Sequence, residues 1–129
     1  MTKTLTLVLF GEAEKGHLHR GILCQTLPEL IDIFGHPPPA SRGLVFAIQS
    51  LLYGQELIYF RVQEEGYSHE DYFRSIKQID ESEWASNIAA YVLPGVGDSE
   101  IIQALTPLCH THHSLLITTQ SDLYDYLTG

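Results

Sequence analysis

Short apolar runs alternate with amphipathic stretches along this chain, and the alternation sets the expected architecture. Residues 4–10 mix β-branched and apolar side chains and stop at Gly11, which predicts a strand running into a loop. Residues 22–24 read as a short strand and 56–62 as the clearest one. Residues 88–93 and 115–119 supply two more. Helical spacing fills the intervals. Thr26-Leu27-Pro28-Glu29 has the form of a capping box with proline in the first turn, opening a helix that Gly35 ends. After the stiff His36-Pro37-Pro38-Pro39 spacer, a second helix is expected over 41–53, with Leu44, Val45, Ala47, Ile48, Leu51 and Leu52 at helical spacing. Ser68-His69-Glu70-Asp71 opens a third, which turns Tyr72, Phe73, Ile76 and Ile79 inward. Asp98 or Ser99 caps a fourth through Leu105, where Pro107 is expected to kink or end it. Ser121-Asp122 caps a terminal helix carrying Leu123, Tyr124, Tyr126 and Leu127.

Near-continuous apolar strands separated by helices call for a parallel sheet covered on both faces. The expectation is one α/β domain over residues 1–129, a small Rossmann-like or flavodoxin-like three-layer sandwich. Its sheet is mostly parallel, with four to five strands. A length of 129 residues and 44% hydrophobic content fit one core that needs no staples.

Charge changes the range of partners. Sixteen Asp and Glu face seven Lys and Arg, a net charge of −9, which disfavours a nucleic-acid or membrane-surface partner. Two cysteines, Cys24 and Cys109, fit a reducing cytosol, and no apolar run approaches a membrane span, so a cytoplasmic location is expected. The expected partner is a protein or a small molecule. The seven tyrosines, Tyr124 and Tyr126 above all, make a homo-oligomer an expectation as well.

Ligands of open parallel sheets bind beyond the carboxyl ends of the strands. Gly11, Glu12, Gly95, Gly97, Asp98 and Ser99 are therefore the expected ligand-binding residues, the glycines allowing close backbone approach and the helix start offering free N–H groups. The plain alternative is a tight turn with an ordinary N-cap. Carboxylates favour divalent cations, so Glu12, Asp98 and Asp122, joined by the strand-end Glu64 or Glu65, form a candidate Mg²⁺ or Mn²⁺ set, and a divalent metal is the one cofactor expected. Cys109, His110 and His113, within Cys109-His110-Thr111-His112-His113, form a second candidate metal set. They match no standard zinc spacing, and histidines also suit a helix C-terminus.

Two local resemblances bear on chemistry. Leu116-Ile117-Thr118-Thr119-Gln120-Ser121-Asp122-Leu123 resembles the end of PIN-type nuclease domains and implies metal-assisted phosphoester hydrolysis by strand-end acids. Phe10-Gly11-Glu12 stands where those domains carry an Asp, and Gln120 where they carry a further acid. Ser41-Arg42-Gly43-Leu44-Val45-Phe46-Ala47 through Leu57-Ile58-Tyr59-Phe60-Arg61-Val62-Gln63-Glu64-Glu65-Gly66 resembles the helix–strand unit of DsrE-type sulfur-relay proteins. That resemblance implies a persulfide-carrying cysteine and oligomerisation. Cys109, with a pKa lowered by its histidine neighbours, is the candidate thiol. No serine-nucleophile arrangement can be picked out. Three functions are thus carried forward: a binding or regulatory module working at the carboxyl edge of the sheet, a metal-dependent phosphoester hydrolase, and a thiol or sulfur-transfer protein.

Overall fold

The computed structural model describes residues 5–84 and 87–128. Thr4, at the start of the first predicted strand, lies outside the described residues. The elements run β1 (Thr6–Gly11), β2 (Ile22–Cys24), α1 (Leu27–Phe34), α2 (Gly43–Leu52), β3 (Glu56–Arg61), α3 (His69–Asp80), β4 (Ile88–Val92), α4 (Ser99–His112), β5 (Leu115–Ile117) and α5 (Gln120–Thr128). The five-stranded sheet has the order β2-β3-β1-β4-β5. β3, β1, β4 and β5 are parallel, and β2 pairs antiparallel with the outer edge of β3. That one reversed strand accounts for the two helices in series, α1 and α2, between β2 and β3. The expected mostly parallel α/β sandwich is the fold.

Burial follows the period of two along each strand. Val8, Phe10, Ile58, Phe60 and Tyr91 face α3 and α4, whereas Leu7, Leu9, Leu57, Tyr59, Ala90 and Val92 face α1, α2 and α5. Phe10 stacks on Phe60 with ring centres 5.4 Å apart, and Tyr72 of α3 packs at 5.6 Å. Full burial of side chains this large stabilises by roughly 1.5–3 kcal/mol each, so this aromatic cluster is a main tie between α3 and the sheet.

Several local expectations are corrected. Pro107 does not end α4, which continues to His112; proline removes one backbone bond, and the turns on either side keep theirs. The helix closes on His113 in a left-handed conformation, and Ser114 N–H returns to the Cys109 carbonyl. Phe73 is not turned inward but is 38% exposed, the buried positions of α3 being Asp71, Tyr72, Ser75, Ile76 and Ile79. Thr119, outside α5, accepts the Asp122 N–H through its hydroxyl, two residues earlier than the Ser121-Asp122 cap expected. The Thr26–Glu29 box forms in altered shape: Glu29 N–H donates to Thr26 Oγ1, but the Thr26 hydroxyl, not its amide, donates to the Glu29 carboxylate.

Candidate functional site

The connection from β1 to β3 covers one face of the sheet, and those from β3 to β4 and β4 to β5 cover the other. The topological switch point therefore falls between the carboxyl ends of β1 and β4, next to Gly11 and Gly95. A crevice is the usual feature there. In this protein the turn after β3 fills it.

Glu65 is the centre of that arrangement. Its carboxylate accepts the backbone N–H of Glu12 at 2.8 Å, of Arg42 at 2.8 Å and of Gly43 at 2.9 Å. Glu12 answers by accepting the Glu65 N–H at 3.0 Å. Arg42, the N-cap residue of α2, makes no side-chain cap of its own, and the Ser41 hydroxyl is spent on the Pro38 carbonyl. Orphan amides at the start of a helix attract negative charge, and here a carboxylate from a distant turn supplies it. The place where an anionic ligand would sit on α2 is occupied by the chain itself.

Close packing holds the clasp shut. A Cβ on Gly11 would come within 2.5 Å of both the Gly43 Cα and the Tyr59 hydroxyl oxygen. Only glycine lets β1 and α2 approach this closely. Tyr59 is fully buried and donates to the Glu12 carbonyl at 2.8 Å. Burial, with Glu65 beside it, pushes its hydroxyl pKa far up, so it stays a donor. Gly66, at φ +85°, lies against the Gly95 carbonyl, and its N–H donates to the Tyr72 hydroxyl at 2.8 Å.

A second knot ties the loop between β1 and β2 to the same edge. His19 pairs through Nε2 with the buried Asp71 of α3, whose other oxygen accepts the Gln63 N–H at 2.8 Å. Burial alone would raise the Asp71 pKa, but the bonds from Gln63, His19 and Ser68 outweigh it and hold it below its ordinary 3.8. Ser68, which opens α3, makes no side-chain bond to the amides of its first turn. Arg61, at the end of β3, donates to the Gly16 carbonyl at 2.6 Å and so holds the same loop.

The expected site residues are only partly brought together. Gly11 and Glu12 belong to the clasp. Gly95 borders it, while a Cβ on Gly97 would meet nothing within 4 Å. Asp98 caps α4 through the amides of Glu100 and Ile101 and also pairs with His69 at 3.3 Å. Ser99 is exposed in the first turn of α4, and Asp122 is exposed on α5. Among the described residues no group of three or more His, Cys, Asp or Glu is placed to hold a metal ion. Neither Glu12, Asp98 and Asp122 nor Cys109, His110 and His113 form such a set. Cys109, His110 and His113 do share the wall of one shallow depression beside Ser114. Burial raises the Cys109 pKa, against the lowering expected from its histidines, and pushes buried Cys24 to about 11.

Glu65 reads from sequence only as a strand-end acid; its service to the amides of α2, and the His19–Asp71 pair, are what sequence reasoning missed at this edge. Glu65 carried one signal: an acid three residues beyond the run 56–62, at a strand's carboxyl end. Nothing local marks its partners, which lie 22 and 53 residues away. Comparison with known protein families, with curated proteins and with solved structures returned no match. Among the described residues no helix is long and apolar enough to cross a membrane.

Proposed function

We propose that this chain is a protein-recognition module whose binding surface is the carboxyl edge of the sheet, around the turn between β3 and α3. The observation that carries this reading is Tyr67, 72% exposed at the tip of a turn braced on both sides. Glu65 anchors the turn to α2 and β1, Gly66 packs on Gly95, and the Tyr67 and Ser68 N–H groups both return to the Glu64 carbonyl. An aromatic side chain held out on a rigid support loses little entropy on binding, which is how interface anchors are built. His69, Phe73 and Asp98 extend the surface across the starts of α3 and α4, His69 lying 6.3 Å from the Phe73 ring.

The surroundings define the partner's character. Lys15 and Arg20 in the β1–β2 loop, Arg42 before α2 and Arg61 at the end of β3 bring scarce cations to an edge that also carries Glu64, Glu70, Asp98 and Glu100. The edge is thus mixed in sign, and a protein surface bearing both charges suits it better than a polyanion. The amides of α2 that would grip a small anion already hold Glu65.

A photoreactive amino acid at position 67, with one at the exposed Gln103 as control, tests the reading in cells. A discrete adduct from position 67 alone, lost when a Tyr67 protein competes but kept with Tyr67→Ala competitor, is expected; a second copy of the chain as the adduct would make the partner a homo-oligomer. Equal adducts from both positions would sink the reading. So would a rise in melting temperature with nucleotides, Mg²⁺, Mn²⁺ or Zn²⁺ that Tyr67→Ala abolishes, because it would put a small ligand of the native state at this edge.

A further inference from the structure

The opposite edge of the sheet holds a cavity. It opens at the amino ends of β1, β3 and β4, on the face covered by α3 and α4, and has a volume of about 590 Å³. That falls within the range of small-molecule sites, roughly 300–1,000 Å³. Leu23 and Ile58 are among its apolar lining residues; Trp84 forms an aromatic wall, and Glu56, Asn87, His112 and His113 are among its polar ones.

Three features give the cavity one electrostatic sign. First, Glu56 is its carboxylate, and no Lys or Arg stands among the described lining residues. The Thr6 hydroxyl at 2.7 Å and the Gln25 side-chain amide at 3.0 Å each bond one Glu56 oxygen. These two bonds hold the carboxyl below its ordinary range, so it is ionised at neutral pH, and they orient it while leaving lone pairs free. Second, the C-terminus of α4 ends at the cavity wall with His112 and His113, and a helix C-terminus carries partial negative charge. Third, the chain's net charge of −9 raises the local concentration of cations at such a mouth.

Trp84 adds the specificity. Its ring meets Phe60 edge-on, with an interplanar angle of 77° and centres 6.4 Å apart, so the indole is fixed by the core behind it. Indole is the best aromatic partner for an organic cation. We propose that this cavity is a binding site for a small organic ammonium compound with an apolar or aromatic body, its charge between Glu56 and Trp84 and its body on Leu23 and Ile58. The site is separate from the carboxyl edge and does not depend on the partner surface proposed there.

Trp84 is the chain's single tryptophan, so its fluorescence reports this cavity directly. Benzyltrimethylammonium is the probe, titrated at low ionic strength and pH 8, above the ordinary imidazole range. Phenylacetate and benzyl alcohol are the anionic and neutral controls. The expected result is a saturable change in Trp84 emission and a rise in melting temperature with the ammonium probe, both at least fivefold weaker in apparent affinity with the controls. Glu56→Gln should weaken the probe at least fivefold. Trp84→Leu, read by saturation transfer to the probe's methyl groups, should do the same. Linear quenching without saturation, equal affinity for phenylacetate, or a Glu56→Gln protein that binds as tightly as the parent would each overturn the proposal.

Discussion

At the carboxyl edge of the sheet backbone is pressed on backbone and a side chain fills the crevice, whereas at the amino edge a cavity stays open between strand starts and the end of α4. Parallel sheets of this class usually place their ligands the other way round. The difference comes from what each edge does with its polar groups. The carboxyl edge turns its helix-start amides inward and pairs them with Glu65, while the amino edge fixes Glu56 from the side and leaves its outer lone pairs to solvent. One edge is closed by pairing its own polar groups; the other leaves a cavity open.

The strongest way to break this comparison is to pry the closed edge apart. Gly11→Ala would place a methyl group 2.5 Å from the Gly43 Cα and from the Tyr59 oxygen, neither of which can yield without moving β1 from α2. Overpacking of this kind costs about 1–3 kcal/mol, and backbone against backbone puts it at or above the top of that range. A fall in the urea midpoint of that size is expected. A midpoint unchanged from the parent would mean that the two elements are not in contact. Removing the clasp itself comes next. Glu65→Ala strips three amides of their acceptor, and with water able to reach a half-buried site the loss is about 1–3 kcal/mol. Glu64→Ala, one residue away, is the control and should change the midpoint little.

The fold could be read from the chain and the clasp could not, for one reason. Strands such as 56–62 announce themselves through their own residues, and a cap such as Asp98 sits within three residues of the amides it serves. Glu65 caps a helix that begins 22 residues earlier, and the pairing exists only once β3 lies beside β1. Asp71 failed in the same way: its spacing from Ser68 suited a local cap, but Gln63 and the distant His19 took it instead. Phe73 also stood at a helical position that reads as core, yet α3 turns Tyr72 and Ile76 to the sheet and leaves that ring outside. Where the carboxylates actually went was decided by tertiary contacts, so Glu12, Asp98 and Asp122 were plausible as a set in sequence while doing separate jobs in space.

Asp71 offers a finer test because its contribution depends on pH. A carboxyl whose folded pKa lies below its unfolded value stabilises fully above the unfolded value, here near 3.8, and loses that contribution as pH falls through the folded one. Asp71→Asn keeps an oxygen for Gln63 but loses the charge facing His19. A cost of about 1–2 kcal/mol near pH 6 is expected, shrinking as the solution is taken from pH 4 to pH 2. A constant difference across that range would show that the carboxylate's charge is not what holds the β1–β2 loop.

The smallest effect on stability belongs to the open edge, and its smallness is informative. Glu56 also has a lowered pKa, from its bonds to Gln25 and Thr6, so the sign is the same as for Asp71: support present above the ordinary carboxylate range and lost on acidification. It is only half-buried, however, and solvent screens such bonds to between zero and about 1 kcal/mol. Glu56→Gln should therefore leave the urea midpoint nearly unmoved at pH 7 while impairing capture of an organic cation. A residue that matters little to folding and much to binding is what an open, preformed cavity requires. If Glu56→Gln instead unfolded the protein as readily as Glu65→Ala, the amino edge would be a second structural clasp, and the contrast between the two edges would collapse.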